Sequence, residues 1–231
     1  NNYDPSSVDI PGMAYAYDAL GRVVEVINPD ASSRKTEYDR GTLSVYDENG
    51  NRQDYLTDGF GNIVEVREHN NPDQYVTNYS YDSEGHVVKI TDAEGNIILY
   101  QYDSLGRKVG LNDPDIGRWS YEYNAAGNLV KQTDGNGRTI TLQYDSLNRQ
   151  ISKSSENETI RYQYDEGKNG TLSKITMPLG EVIMDYDDRL RARSIEEKYD
   201  GISFVTTQDY DSMDRITRIT YPDGSVSEYS Y

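Results

Sequence analysis

The chain has 231 residues and a formal net charge of −17, because 40 Asp and Glu residues outnumber 23 Lys and Arg residues. This acidic balance argues against nucleic acid and against an anionic membrane surface as partners, since both require clustered cations. No apolar run approaches the ~20 residues that a membrane helix needs. The mean hydropathy of −0.86 would suit a disordered chain, but 22 Tyr residues supply large rings that favour strands. Cysteine is absent, which excludes disulfides and thiolate chemistry.

The first 13 residues differ from the rest of the chain. They are polar and contain Pro and Gly, which predicts an irregular lead-in without a secretory signal. From residue 14 to residue 231 one pattern recurs at a spacing of about 21 residues, Tyr-x-Tyr-Asp-x-x-Gly-Arg or a variant of it. Well-preserved copies begin at Tyr15, Tyr79, Tyr100 and Tyr121. No linker interrupts the roughly ten units, so we expect a single domain built as a repeat array.

Each unit contains two turn signals. In Asp-x-x-Gly, the Asp suits the first turn position, and the Gly suits a left-handed residue that closes a type I turn with a bulge. Asn148 and Leu190 replace this Gly in two degenerate units. A second turn signal follows about ten residues later, as in Asp92-Ala-Glu-Gly95 and Asp134-Gly-Asn-Gly137. β-prone runs lie between the turns, for example residues 22–27, 86–91, 139–144 and 215–221.

These signals predict an all-β fold, a repeat array of antiparallel β-hairpins that forms a continuous curled or spiralling sheet. Tyr residues at positions i and i+2 point to one face, so we expect Tyr to stack beside Tyr on neighbouring strands. The bulged turn places Asp18 opposite Arg22 and Asp103 opposite Arg107. Unpaired edge strands leave edge-to-edge self-association open. The final residues, Tyr229-Ser-Tyr231, stop where the next repeat Asp is due, which predicts a fragment of a longer array.

The acidic residues are candidates for chemistry, but their repetition favours a structural role. Catalytic carboxylates need distinct environments, and equivalent copies do not provide them. The densest acidic spots are Asp187-Asp188 and the pair Asp209 and Asp211. Two turns, at residues 47–51 and 113–117, place oxygens as Ca²⁺ prefers, but neither continues into the EF-hand spacing. We therefore predict no catalytic, no cofactor-binding and no metal-binding residue.

Three other residues, two His and one Trp, have side chains that could bind or catalyse. His69 lies in the polar segment 68–72, which is typical of a loop, and His86 occupies the Arg position after a repeat Gly, where a strand surface residue is expected. Neither pattern favours a Ser–His–Asp triad or a zinc site. Trp119 opens a strand, where packing is a commoner role than a carbohydrate platform.

The repeat itself resembles a known family. Residues 15–26 and 100–109, with Tyr-x-Tyr-Asp-x-x-Gly-Arg followed by a second turn, are similar to the YD repeat of the RHS family, and the resemblance extends over residues 14–231. It implies a strip of β-hairpins that spirals into a hollow shell. In bacterial Rhs and Tc toxins such a shell encloses a variable C-terminal toxin, whereas teneurin shells belong to adhesion receptors. Segment 113–117 superficially resembles the self-cleavage motif of these shells but fits better as a second turn, so we assign no protease residue.

The resemblance implies a non-enzymatic structural segment of a secreted or cell-surface bacterial protein. The segment would form wall of a β-shell that encloses or scaffolds a toxin or effector cargo. Its partners would be polypeptide cargo or neighbouring domains of the same parent chain, without nucleic acid or membrane insertion. The alternative is an adhesion module that binds glycan or a cell-surface receptor through repeated Tyr, Arg and Asp side chains.

Overall fold

The computed structural model describes residues 12–70 and 72–231, so almost all of the predicted lead-in, residues 1–13, lies outside the described residues. The regular structure of the described residues is entirely β, which confirms the predicted fold class. No helix in this part of the chain is long and apolar enough to cross a membrane. The chain divides into two compact units, one ending at Gly117 and one spanning Arg118–Tyr231.

The first unit contains ten strands, each antiparallel to its neighbour in sequence. They are β1 (Ala14–Tyr17), β2 (Val23–Ile27), β3 (Ser33–Asp39), β4 (Thr42–Tyr46), β5 (Arg52–Thr57), β6 (Ile63–Asn70), β7 (Asp73–Tyr81), β8 (Val87–Thr91), β9 (Ile97–Tyr102) and β10 (Lys108–Asp113). The unit is therefore a simple meander of hairpins.

The second unit has the same pattern with eleven strands, again paired with their sequence neighbours, and only Gly117, the first residue of β11, belongs to the first unit. They are β11 (Gly117–Tyr123), β12 (Leu129–Thr133), β13 (Thr139–Tyr144), β14 (Gln150–Ser154), β15 (Thr159–Tyr164), β16 (Leu172–Met177), β17 (Gly180–Tyr186), β18 (Ala192–Tyr199), β19 (Ile202–Tyr210), β20 (Ile216–Thr220) and β21 (Val226–Glu228). The four predicted β-prone runs correspond to β2, β8, β13 and β20.

The Asp-x-x-Gly turns have the predicted bulged geometry. In the first, the Asp18 and Arg22 backbones close the hairpin through an N–H···O bond of 2.9 Å, and the strand register shifts just before it. Gly21 has φ +76°, a left-handed conformation that glycine adopts without steric cost. Asn148 and Leu190 take the same conformation, with φ +61° and +60°. Turn geometry is thus retained where the sequence departs from Gly.

The prediction that Tyr stacks beside Tyr on neighbouring strands is wrong. Tyr79 lies opposite Ile90, and Tyr100 lies opposite Leu111. The reason is that one repeat contains two strands, so a strand without the Tyr motif separates each pair of Tyr-bearing strands. Strands lie about 4.8 Å apart, which places successive Tyr rows roughly 10 Å apart.

Burial within each unit reflects this meander. Strands contact the strands next to them in sequence, so side chains are covered mainly by neighbours on the same face. Among the described residues no apolar side chain is fully buried, and the buried residues other than Gly110 are polar: Ser44, Asp54, Thr171 and Ser173. Stability in such an array depends on contacts between adjacent repeats rather than on a central core.

Candidate functional site

A recurring side-chain arrangement of the described residues is built on the Asp-x-x-Gly turn. Asp18 Oδ1 accepts hydrogen bonds from the backbone N–H groups of Leu20 and Arg22, both at 2.9 Å. The other carboxylate oxygen, Oδ2, pairs with the Arg22 guanidinium at 2.7 Å. The backbone bond from Arg22, together with its side chain, lowers the pKa of Asp18 below its ordinary value. The carboxylate therefore fixes the turn and orients the arginine at once.

The same turn recurs along both units. Four further copies join Asp to Arg four positions later: Asp103–Arg107, Asp145–Arg149, Asp187–Arg191 and Asp211–Arg215. Three copies use Asn in place of Arg: Asp47–Asn51, Asp58–Asn62 and Asp92–Asn96. The predicted pairs of Asp18 with Arg22 and of Asp103 with Arg107 are confirmed.

The arginine also contacts the Tyr motif of the following repeat. The Arg149 guanidinium lies 4.4 Å from the centre of the Tyr164 ring. The Tyr164 hydroxyl donates a 3.0 Å hydrogen bond to the carbonyl oxygen of Gln150, the residue after that arginine. Burial raises the pKa of Tyr164 above its ordinary value. We call Asp145, Arg149 and Tyr164, and the equivalent residues of other repeats, the Asp–Arg–Tyr cluster.

Equivalent clusters occur elsewhere in the array. The Arg–Tyr distances are 4.0 Å for Arg22 and Tyr38, 4.5 Å for Arg191 and Tyr210, and 4.4 Å for Arg215 and Tyr231. Their Tyr hydroxyls donate to Val23, Ala192 and Ile216, and the same type of bond joins Tyr81 to Ile63, Tyr144 to Leu129 and Tyr186 to Leu172. Each cluster ties one hairpin to the next.

Some clusters extend further into the next repeat. Arg149 also forms two hydrogen bonds with the Asp165 carboxylate, at 2.7 and 3.1 Å. The bonds to Asp165 and Asp145 raise the pKa of Arg149 above its ordinary value. A guanidinium has five donors in a planar fork, so one arginine can serve two carboxylates while its face rests on a Tyr ring.

His86 takes the arginine position in one repeat. Its Nδ1 lies 3.0 Å from Asp82 Oδ2, and its ring stacks on Tyr102 with centroids 4.8 Å apart. The Tyr102 hydroxyl donates to Val87 O at 3.1 Å, as in the other clusters. The predicted Arg-like position is confirmed, but His86 lies in the turn before β8 rather than in a strand.

A second polar group, which sequence reasoning missed, lies between β4, β5 and β6. Asp54 is 4% exposed and accepts a 2.7 Å bond from Arg52 Nε, and its Oδ2 lies 2.9 Å from His69 Nε2. Burial acts to raise the Asp54 pKa, but hydrogen bonds from Arg52, Ser44 and His69 outweigh it and lower the pKa to about 2. The predicted loop at 68–72 is wrong at His69, because β6 continues to Asn70 by pairing with β7.

This buried group does not form a nucleophile–base pair. Asp54 lies between Ser44 and His69 and hydrogen-bonds to each. In a Ser–His–Asp triad the histidine lies between the serine and the carboxylate, so that it can take the serine proton. The arrangement around Asp54 instead holds three strands together.

The remaining sequence candidates have local structural partners. Asp47 Oδ1 accepts bonds from the Asn49 and Asn51 backbones, and Asp113 Oδ1 accepts one from Asp115, so both candidate calcium turns use their carboxylates as turn caps. Asp187 and Asp211 belong to Asp–Arg–Tyr clusters, Asp188 pairs with Lys168, Asp209 is an exposed residue of β19, and Trp119 is half-buried in β11 with its ring 6.4 Å from that of Tyr121.

These features define a β-hairpin repeat protein whose distinctive chemistry connects one repeat to the next. Three segments, residues 46–97, 81–115 and 123–158, match the family model described as RHS Repeat and together make up just under half of the chain. These segments contain RHS repeats, as the motifs of the sequence indicated.

Solved structures agree in fold. A crystal structure of TcdB2-TccC3 matches with a TM-score of 0.83 and 16% identity, covering 95% of this chain and 14% of that chain. TcdB2-TccC3 without its hypervariable C-terminal region gives a TM-score of 0.82, and a Photorhabdus luminescens Tc holotoxin pore gives 0.81, each with 16% identity and the same two coverages. The chain thus spans about one seventh of the length of these relatives, and the likeness establishes its fold.

Proposed function

We propose that this segment forms part of the wall of an RHS shell in a secreted bacterial protein, and that the shell encloses or scaffolds a polypeptide cargo. The cargo would be a toxin, an effector or a neighbouring domain of the same parent chain. The segment itself is non-enzymatic in this proposal, and residues 14–231 act as one repeat array. The observation that carries the proposal is the Asp–Arg–Tyr cluster. In it the recurring Asp, Arg and Tyr side chains of the repeat contact one another and join hairpins, and they are not arranged to bind a small molecule.

A second observation supports a wall. The third position of several Asp turns carries a large apolar side chain that this segment leaves exposed, such as Phe60 at 94% and Leu105 at 74%. Leu20, Leu147 and Met213 occupy the equivalent position and are also exposed. Exposed apolar groups in regular array are typical of surfaces that contact other protein. In the proposal, other parts of the parent protein cover them.

Electron microscopy of the intact parent polypeptide, together with limited proteolysis, tests the proposal. We expect this segment to line a closed chamber, and we expect the downstream cargo to resist protease in the intact protein but not when expressed alone. An open strip whose cargo is cleaved at the same rate in both forms would contradict encapsulation.

Glycan-array binding by the isolated chain provides the opposing test. A structural wall predicts no saturable binding. Saturable micromolar binding that is lost in the Trp119→Ala variant would instead support the adhesion alternative.

A further inference from the structure

We propose that Asp82, Glu84 and His86 form a binding site for a divalent first-row transition ion, with Zn²⁺ as the representative. One ligand atom from each residue lies within 4.8 Å of the other two. His86 Nδ1 is 3.0 Å from Asp82 Oδ2 and 3.8 Å from Glu84 Oε2. The site goes beyond the proposed wall function and does not depend on it.

The bulged turn brings these three side chains together. Asp82 Oδ1 accepts 2.9 Å hydrogen bonds from the backbones of Glu84 and His86, so the carboxylate is fixed with Oδ2 directed at the histidine ring. Gly85, with φ +88°, allows the chain to reverse between Glu84 and His86. The same geometry directs an arginine at the Asp in other repeats, and here it directs a ring nitrogen.

The imidazole is held in one orientation. Its face stacks on the Tyr102 ring at an interplanar angle of 22°. Its opposite edge lies close to Gly106: a Cβ atom added to residue 106 would lie only 2.9 Å from His86 Nε2. The confined Nε2 edge leaves the Nδ1 edge directed at the two carboxylates. A preoriented ligand loses less freedom when it binds an ion.

The ligand set selects the class of ion. Imidazole nitrogen suits Zn²⁺, Cu²⁺ and Ni²⁺ better than Ca²⁺ or Mg²⁺, which prefer oxygen ligands alone. Zn²⁺ binds nitrogen and oxygen at about 2.0–2.2 Å, so its ligands lie no more than roughly 4.3 Å apart. The Glu84 side chain is 63% exposed and can move the remaining fraction of an ångström. The ion would replace the bond between His86 and Asp82 and neutralise both carboxylates.

The array contains a matched turn that lacks the nitrogen ligand. In the turn from Asp92 to Asn96, Asp92 Oδ1 accepts bonds from Glu94 at 2.9 Å and from Asn96 at 2.8 Å, and Gly95 has φ +87°. Glu94 therefore corresponds to Glu84, and Asn96 corresponds to His86. General attraction of cations to an acidic surface would treat the two turns alike.

Calorimetric titration of the 231-residue chain with zinc chloride, after removal of metal by chelator, tests the site. We expect one saturable site with a dissociation constant below about 100 μM, in the range of a weak three-ligand site. His86→Arg installs the residue that other repeats carry, and we expect it to weaken binding at least tenfold while the circular dichroism spectrum is unchanged. Glu84→Gln should also weaken binding, whereas Glu94→Gln should not.

Three results would overturn the site. They are equal zinc binding by the parent chain and His86→Arg, equal losses from Glu84→Gln and Glu94→Gln, or no saturation up to millimolar zinc. If His86→Arg fails to fold, the comparison of the two Glu variants decides, because both residues lie in exposed turn positions. A change in the chemical shift of the His86 side-chain nitrogen on zinc addition identifies the ligand directly. The change is expected, and its absence contradicts the proposal.

Discussion

Residues 42–70 and residues 139–164 hold adjacent hairpins together by different means. In β13–β15 the connection is the Asp–Arg–Tyr cluster, in which the Asp145 side chain keeps 21% of its exposure. In β4–β6 the connection is Asp54, whose side chain keeps 6% and which bonds to residues of its own and both flanking strands. One device is repeated and partly solvated, and the other is single and buried.

The difference shows how burial changes the value of similar contacts. An exposed ion pair contributes ~0–1 kcal/mol because water competes with the partner. A buried carboxylate has already lost its water, and removing it costs about 1–3 kcal/mol for each buried donor left unsatisfied, as Ser44 would be. We expect each Asp–Arg–Tyr cluster to contribute little to the free energy of unfolding, so that the clusters matter through their number. We expect the single buried Asp54 to make a large contribution.

The largest expected effect comes from Asp54→Ala. It leaves Arg52, Ser44 and His69 without their common acceptor, and we expect the free energy of unfolding to fall by about 3 kcal/mol. Urea unfolding measures this loss, with Asp209→Ala as the control because Asp209 is an exposed carboxylate near the end of β19. A loss at Asp54 no larger than at Asp209 would refute the role of the buried group.

Acid should also reveal the contribution of the Asp54 carboxylate to stability. The pKa values of Asp54 and Asp187 are lowered to about 2 from an ordinary 3.8. Because the folded pKa lies below the unfolded one, the stabilisation is complete above about pH 4 and is lost as pH falls towards 2. Thermal unfolding between pH 5 and pH 2 should show this loss, with a shallower dependence in Asp54→Ala. An identical dependence would contradict the lowered pKa of Asp54.

A smaller loss is expected when one hydroxyl is removed from an Asp–Arg–Tyr cluster. Tyr164→Phe keeps the ring against Arg149 but deletes the bond to Gln150, which should cost about 1 kcal/mol. Tyr199→Phe is the control, since this Tyr is 40% exposed and none of its described contacts is a hydroxyl hydrogen bond. Equal unfolding midpoints for the two variants would contradict a stabilising role for the Tyr164 hydroxyl.

The smallest expected changes are stabilising. Leu190 holds a left-handed backbone that costs a β-carbon residue roughly 1–2 kcal/mol, so Leu190→Gly should raise stability by about 1 kcal/mol. Asn148→Gly should give less, because Asn tolerates this conformation. Leu190→Ala separates loss of the side chain from relief of the backbone, and a gain from Ala equal to that from Gly would contradict the backbone explanation.

The sequence predicted those parts of the fold that are encoded locally. Asp18, Gly21 and Arg22 lie within five residues, and their types specify the turn and the ion pair. The contact of Arg149 with Tyr164 was not predicted, because it joins residues of different hairpins and depends on the register of β14 against β15. The role of Asp54 was missed for the same reason, since His69 reaches it only because pairing with β7 extends a polar segment as strand.

A double-mutant cycle between Arg149 and Tyr164 tests most directly whether the cluster joins successive repeats. Unfolding free energies of Arg149→Ala, Tyr164→Ala and the double variant should give a favourable coupling of about 1 kcal/mol. The same cycle between Arg149 and Tyr186, one repeat further on, should give a coupling near zero. Equal couplings in the two cycles would contradict the account.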